Sequence, residues 1–329
     1  MTAERAGDPA PRALVLTAGL GTRLEPLTYL RAKAAVPVNG DTLARRVIQW
    51  LVSNGIRDLV LNLHHLPASI TASVGDGRDL GARVRYSWEN PVLGSAGGPR
   101  HALPLLVERS ENQQRFIIVN GDTLTDVELD VMVSRHAASG AAVTMALIPN
   151  PQPDKYGGVV ISDTGWVTGF TRAGSGRPSY HFVGVQVAEA RAFDSLPDST
   201  PSETVNRIYP DMIAANAHSI AAFVCDASFR DIGTPADYLD TSIELTRDEG
   251  DRLTSGSRIE IHPTASIARS AIWDDVKIGA GAELIECIVC DGAIVPPGAH
   301  YQRCAILPAT GRTAKGKQRV EGTLLIADF

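Results

Sequence analysis

Cysteine is scarce in this chain. Four thiols, Cys225, Cys287, Cys290 and Cys304, are spread through 329 residues, which rules out the disulfide scaffold of a small secreted domain. Long apolar runs are missing too. No stretch approaches the roughly 20 residues that span a bilayer, and the opening MTAERAGDPAPRA has none of the apolar centre of a signal peptide. Positive charge is not in excess: the formal net charge is −6, which argues against nucleic acid or an anionic membrane surface as a partner. These absences lead us to expect a cytoplasmic protein with reduced thiols. A local basic pocket for a small polyanion stays compatible with all of them. Two suggestive pairs also fall away. His64 and His65 follow directly on a strand, and adjacent residues in extended chain point to opposite faces, which argues against a shared metal. Cys287-Ile-Val-Cys290 has zinc-like spacing but no second pair, and reads as buried free thiols.

What is present is ordinary globular material, 44% hydrophobic and 21% charged, long enough for one large domain and a smaller one. Residues 1–12 read as a flexible lead. An apolar run, Ala13-Leu-Val-Leu16, then meets the glycine-containing turn Thr17-Ala-Gly-Leu-Gly-Thr-Arg23 and predicts a buried strand followed by a tight turn. Leu43 to Asn54 has a helical face of Leu43, Val47, Ile48, Leu51 and Val52, closed by Gly55. Strands are expected at Asp58–Leu63, Val84–Trp88, Phe116–Val119 and Val143–Ile148, and a helix over Leu129–Ser139. Tyr86 and Trp88 alternate along their strand and read as packing residues. This alternation predicts an α/β, Rossmann-like, mostly parallel sheet with helices on both faces. In such sheets ligands bind at the carboxyl ends of strands. The glycine-rich turn and Asn120-Gly-Asp122 both fall there.

The texture changes after a polar linker at 249–258. Apolar residues, all aliphatic but Tyr301, recur at Ile261, Ile267, Ile272, Ile278, Leu284, Val289, Val295, Tyr301 and Leu307, in steps of six with two slips to five, and small residues or glycine lie between them. Short repeats with one inward aliphatic each predict a β-solenoid over 259–308. The pattern resembles the hexapeptide repeat of left-handed parallel β-helices, here with two to three coils. Residues 309–329 are left as a C-terminal tail containing the basic run Lys315-Gly-Lys-Gln-Arg319. Exposed solenoid ends point to a homo-oligomer.

Three segments carry the chemistry. In Leu16-Thr-Ala-Gly-Leu-Gly-Thr-Arg-Leu24, the glycines leave backbone N–H groups free to converge on phosphate oxygens, and Arg23 adds fixed donors. Lys33 follows as a second cation. The spacing is neither a Walker loop nor a dinucleotide fingerprint. Asp122, just after an apolar strand, is suited to Mg²⁺, a hard oxygen-seeking ion that bridges to phosphates; an Asx turn would also account for it. In Arg230-Asp-Ile-Gly-Thr-Pro-Ala-Asp237, Thr234 and Pro235 read as a helix N-cap and first helical residue, which leaves Asp231 unexplained.

The ordered set GLGTR with a downstream lysine, Glu89 followed by LGSAGG, NGDT, YGGVV and DIGTP resembles the sugar-1-phosphate nucleotidyltransferases. It is most similar to the GDP-mannose pyrophosphorylase-like branch with a C-terminal left-handed β-helix. The resemblance covers a catalytic domain over 13–248 and the β-helix over 259–308. It implies that an NTP and a sugar 1-phosphate combine with Mg²⁺ to give a nucleotide sugar and pyrophosphate. It assigns catalysis to Arg23, Lys33 and Asp122, and metal binding to Asp122 and Asp231. It places the nucleotide against Leu16, Ala18, Gly19, Gly21, Thr22, Arg23, Glu89, Gly94, Ser95 and Asp122, and the sugar phosphate against Gly157, Arg172 and Gly184. Two departures stand out. Ala32 and Ala34 replace the prolines that usually flank the lysine. Phe170-Thr-Arg-Ala173 replaces a Glu-Lys-Pro element, so Arg172 takes the lysine's place and a usual sugar ligand is absent. A carboxylate at Glu89 accepts from two guanine donors and from only one on uracil, which favours GTP; mannose or a heptose is the expected sugar. The alternatives are a uridylyltransferase acting on an amino-sugar 1-phosphate such as N-acetylmuramate 1-phosphate, and a non-catalytic subunit that senses nucleotide sugars. The second loses ground because Arg23, Lys33, Asp122 and Asp231 are all present.

Overall fold

A computed structural model describes residues 10–107, 114–249, 253 and 256–329. Most of the expected lead and half of the expected linker lie outside the described residues. Arg12, expected at the end of the lead, already pairs within the first strand, Arg12–Leu16.

The chain divides into two compact units, but not at the boundary expected from the sequence. One unit holds the residues up to Gly19, Val47–Pro67 and Val74–Phe229. The other gathers Leu20–Arg46 and Ala68–Ser73 together with Arg230–Phe329. The segment carrying Arg23 and Lys33 therefore belongs with the β-helix, although a linear division puts it in the catalytic domain.

The first unit is built on a nine-stranded sheet. Its parallel half runs in the spatial order Arg83–Trp88, Asp58–Leu63, Arg12–Leu16, Arg115–Asn120. Ala13, Leu14 and Val15 are all fully buried, so both faces of this central strand are covered, as a parallel sheet requires. Leu14, Val60, Phe116 and Ile118 pack on Ala102, Leu103 and Leu106 of the helix Gly94–Leu106. Beyond Asn120 the sheet turns antiparallel: Tyr180–Glu189 pairs with Arg115–Asn120, with Val143–Pro149 and, at Tyr180, with Gly158–Ile161. A parallel strand, Ile220–Val224, joins Val143–Pro149. The expected Leu129–Ser139 helix forms over those residues. Tyr86 donates to the Gly75 carbonyl at 2.6 Å, but Trp88, expected to pack, is 61% exposed. It ends the strand Arg83–Trp88, which among the described residues is the edge strand of this sheet.

In the second unit the aliphatic repeats stack as expected. Ile261, Ile278 and Val295 align through parallel pairing, as do Ile267, Leu284 and Tyr301. The third file is Ile272, Val289 and Ile306, so Ile306 takes the stacking place expected for Leu307. Each coil thus spans 17 residues: two sides of six and one of five, which explains the slips. Cys287 and Cys304 stack in this core with sulfurs 3.9 Å apart, and all four thiols are free. The expected tail is instead structured. Gln318–Glu321 and Leu324–Asp328 form antiparallel strands, the latter paired along Cys304–Pro308. Of the basic run only Gln318 and Arg319 lie in these strands, and the Arg319 side chain bonds Glu321 at 2.6 Å and Asp328 at 2.7 Å. Among the described residues no helix is long and apolar enough to cross a membrane.

Candidate active site

Four parallel strands end side by side, and Leu16 and Asn120 are direct partners in the ladder. At these carboxyl ends lies a pocket of about 220 Å³ lined by Leu16, Ala18, Gly19, Glu89, Gly94, Ser95 and Asp122, with Asn62, Val92 and Asn120. Seven residues proposed from the sequence for the nucleotide are therefore brought together within one unit. The half-buried Asp122 follows Gly121, whose N–H donates to the Leu16 carbonyl at 3.0 Å. This bond ties the Asn-Gly-Asp turn to the entrance of the glycine-rich turn.

Asn62 escaped the sequence reading, yet it organises the pocket floor. Its side-chain oxygen accepts from the N–H groups of Thr17 at 2.6 Å and Ala18 at 3.3 Å. Its amide nitrogen donates to Glu89 Oε1 at 2.7 Å, and Glu89 Oε2 accepts from the Leu93 N–H at 2.7 Å. Glu89 is only 4% exposed, and buried carboxylates need such donors. Its primary structural work is thus to couple the Thr17–Ala18 turn to the loop before Gly94. Gly98 makes this possible: a Cβ there would lie 2.6 Å from Glu89 Oε1 and 3.0 Å from Asn62 Nδ2. The signal in the sequence was one amide side chain in an otherwise apolar strand, Leu59-Val-Leu-Asn-Leu63.

Ser95 is held rather than free. Its hydroxyl donates to Glu203 Oε2 at 2.6 Å and accepts from the Thr204 N–H at 2.9 Å. Glu203 and Thr204, also missed from the sequence, clamp the start of the Gly94–Leu106 helix. Gly184, expected beside the sugar, has φ +81°, and a Cβ there would stand 2.7 Å from Asn120 Nδ2. A glycine at that point lets the neighbouring strand approach the pocket wall. Gly157 lies close to the Thr171 carbonyl, 2.9 Å from a would-be Cβ, and the exposed Arg172 follows directly.

Gly21, Thr22, Arg23, Lys33 and Asp231 belong to the second unit. There Gly21, at φ +64°, accepts from Leu24 N at 2.9 Å and opens the short turn Thr22–Leu24 that presents Arg23. A Cβ on Gly21 would stand 3.2 Å from that of Lys33. Arg23 Nη1 and Asp231 Oδ2 both approach Gly233, 3.4 and 3.1 Å from where its Cβ would be. Arg23 and Asp231 are thus neighbours around one glycine. Among the described residues no cluster of three or more His, Cys, Asp or Glu side chains gathers as a metal centre. Asp122 belongs to the first unit and Asp231 to the second; one or two carboxylates completed by substrate phosphates are the usual setting for Mg²⁺, and each of the two offers oxygen donors of that kind.

Mannose-1-phosphate guanylyltransferase of Mycobacterium tuberculosis is 27% identical over 300 residues, covering 90% of this chain and 82% of that protein. D-glycero-alpha-D-manno-heptose 1-phosphate guanylyltransferase of Aneurinibacillus thermoaerophilus is 28% identical, covering 71% of this chain and 97% of its own length. The crystal structure of HddC from Yersinia pseudotuberculosis superposes with a TM-score of 0.62 at 21% identity, over 72% of this chain and 100% of HddC. The family model for nucleotidyl transferases matches residues 12–248, and the chain is an enzyme of that family.

Proposed function

We propose that this enzyme transfers a guanylyl group from GTP to a mannose- or heptose-type sugar 1-phosphate. The observation that carries the reading is the pocket at the carboxyl ends of the parallel strands, where Leu16, Ala18, Glu89, Gly94, Ser95 and Asp122 meet in a chain similar to two guanylyltransferases. The base and ribose are assigned to this pocket. Arg23 and Lys33 are assigned to the β and γ phosphates, and Gly157, Arg172 and Gly184 to the sugar phosphate.

In the proposed reaction a sugar-phosphate oxygen attacks the α-phosphorus as the bond to the β-phosphate oxygen breaks, and pyrophosphate leaves with that electron pair. The attacking oxygen is already anionic, so no strong general base is needed. The barrier lies in bringing two polyanions together in line, which favours cationic groups over proton-transfer groups. Arg23 offers a planar fork of donors to the leaving pyrophosphate, and Lys33 a compact point charge. Asp122 and Asp231 are assigned to Mg²⁺, which when bound would neutralise phosphate charge in the transition state. Arg172, with two donors where the family has one ammonium, is assigned to the sugar phosphate. Glu89, with both oxygens already accepting from the protein, shapes the base pocket and offers its remaining lone pairs to the guanine edge.

The test is pyrophosphate release with each of four NTPs against mannose, heptose, glucose and N-acetylmuramate 1-phosphates, with and without Mg²⁺. Turnover is expected with GTP and a manno-configured sugar, and only with the metal. A preference for UTP, or tight binding of nucleotide sugars without turnover of any pair, overturns the assignment.

A further inference from the structure

The β-helix grips the segment that carries Lys33. Arg31 Nε and Nη2 donate to the two carboxylate oxygens of Asp291 at 2.6 and 2.7 Å, and Nη2 also donates to Asp274 at 2.5 Å. Asp274 and Asp291 are 17 residues apart, so they occupy the same corner of successive coils. The Asp274 N–H donates to Asp291 Oδ1 at 3.1 Å. Arg31 therefore bridges two rungs. Its guanidinium also lies over the fully buried Trp273, 5.4 Å from the ring centroid.

Two further anchors flank it. Trp273 Nε1 donates to Tyr238 Oη at 2.8 Å, and that hydroxyl donates to the Pro37 carbonyl at 2.6 Å. Arg312 and Gln318, around the closing strands, donate to the Tyr29 carbonyl and hydroxyl, each at 3.3 Å. The segment is thus held before, at and after Arg31, with Lys33 two residues beyond the central anchor. Between the anchors lies the single turn Lys33–Ala35, with the Ala35 N–H on the Ala32 carbonyl at 2.8 Å and the Val36 N–H on that of Lys33 at 3.3 Å. Alanine at positions 32 and 34 does little to stiffen this turn by itself; the tether from outside does.

We infer that Arg31 is a positioning residue, and that the β-helix sets the place of Lys33 through Asp274 and Asp291. The inference rests on the assignment of Lys33 to the triphosphate. A bidentate, partly desolvated pair of this kind is geometrically selective, and small misplacements of phosphate-binding groups are costly in rate. Removing Arg31 also leaves two carboxylates facing each other across adjacent rungs, which drives the corner apart.

The variants are Arg31→Ala, Arg31→Lys and Asp291→Asn, the last keeping Arg31 paired with Asp274 and so least disruptive to folding. Arg303→Ala, which removes an exposed pair with Glu286 on the β-helix surface, is the control. Two readouts are taken: hydrogen exchange at the Ala35 and Val36 amides, and kcat/KM for GTP against KM for the sugar 1-phosphate. We expect exchange at those amides to rise and kcat/KM for GTP to fall by about tenfold or more in Arg31→Ala. Asp291→Asn and Arg31→Lys should show smaller changes in the same direction, the sugar KM should hold, and Arg303→Ala should match the parent. Unchanged exchange at Ala35 and Val36, or losses for both substrates that simply follow a lower Tm, would overturn the inference. A parent enzyme without turnover would sink the function reading instead; exchange, with binding of a non-hydrolysable GTP analogue, still decides the anchoring.

Discussion

At the scale of single residues, Asp122 and His181 make the sharpest contrast. Asp122 was legible because an acid at the carboxyl end of an apolar parallel strand falls where such sheets bind ligands, and it does line the pocket. Asp122→Asn keeps the shape and removes the charge. We expect turnover to fall by at least about a hundredfold while the far-UV spectrum and Tm stay near the parent; full activity would refute the metal role. His181 gave no signal at all. It is 9% exposed, neither ring nitrogen has a hydrogen-bond partner among the described residues, and Tyr156 and Phe229 pack on it with centroids 4.5 and 4.4 Å away. Burial holds its pKa down at about 4, against roughly 6.5 in an unfolded chain. Between these values the unfolded chain takes up a proton that the folded one refuses, so stability is complete above about pH 6.5 and declines as pH falls towards 4. Urea melts from pH 7.5 to 4.5 should show that decline, and His181→Phe should flatten it. Asn62, Glu203 and His181 share one reason for being missed. Each acts through partners distant in sequence, and only folding reveals such partners.

Elements were legible where one face or one strand carries a full pattern. Asp58–Leu63 and Leu129–Ser139 form over the expected residues, because a run of aliphatic residues broken only by Asn62 and a helical apolar spacing leave little competing choice. The antiparallel half of the sheet was harder. Gly158–Ile161 and Val167–Thr171, and the parallel strand Ile220–Val224 beside them, are four or five residues long, and their sequences carry glycine, threonine and alanine that suit loops equally well. Tyr180–Glu189 carries an internal glycine at positive φ where its register shifts, which hides its period. Caps were plainer. Thr234 accepts from the Asp237 N–H at 3.2 Å and donates to the Asp237 carboxylate at 2.8 Å, with Pro235 opening the helix. Thr234→Ala should cost about 1 kcal/mol of stability, read as a lower urea midpoint at unchanged m. Thr234→Ser should recover most of it, and no loss in the alanine variant would show the cap to be idle.

For the molecule as a whole, the division of the chain was the least legible feature. Composition shifts mark where the repeats begin, but nothing in a linear pattern shows that residues 20–46 and 68–73 share a unit with 230–329. Two contributions to that unit, Tyr238 on Pro37 and Arg312 on Tyr29, join residues some two hundred or more positions apart. A chain ended after Glu249 would keep the nine-stranded sheet and Tyr238 on Pro37, but the cation-bearing segment would lose the partners of Arg31 and Tyr29. We expect that truncation to lose cooperative melting and all turnover; a sharply melting, active fragment would contradict the division.

The coil length of 17 residues also constrains how this protein can change over time. Inward files, corner aspartates and ladder partners all repeat on that interval, so a one-residue insertion on any side would rotate every later side chain away from its place. A whole extra turn would instead raise the closing strands by one strand spacing, about 4.8 Å, and leave the rungs below it undisturbed. Since Arg31 spans two rungs near the start of the stack while Arg312 reaches Tyr29 from the far end, that growth has a ceiling. The solenoid is a ruler whose two ends are fastened to the same short piece of chain, and its number of turns is fixed by what it has to reach.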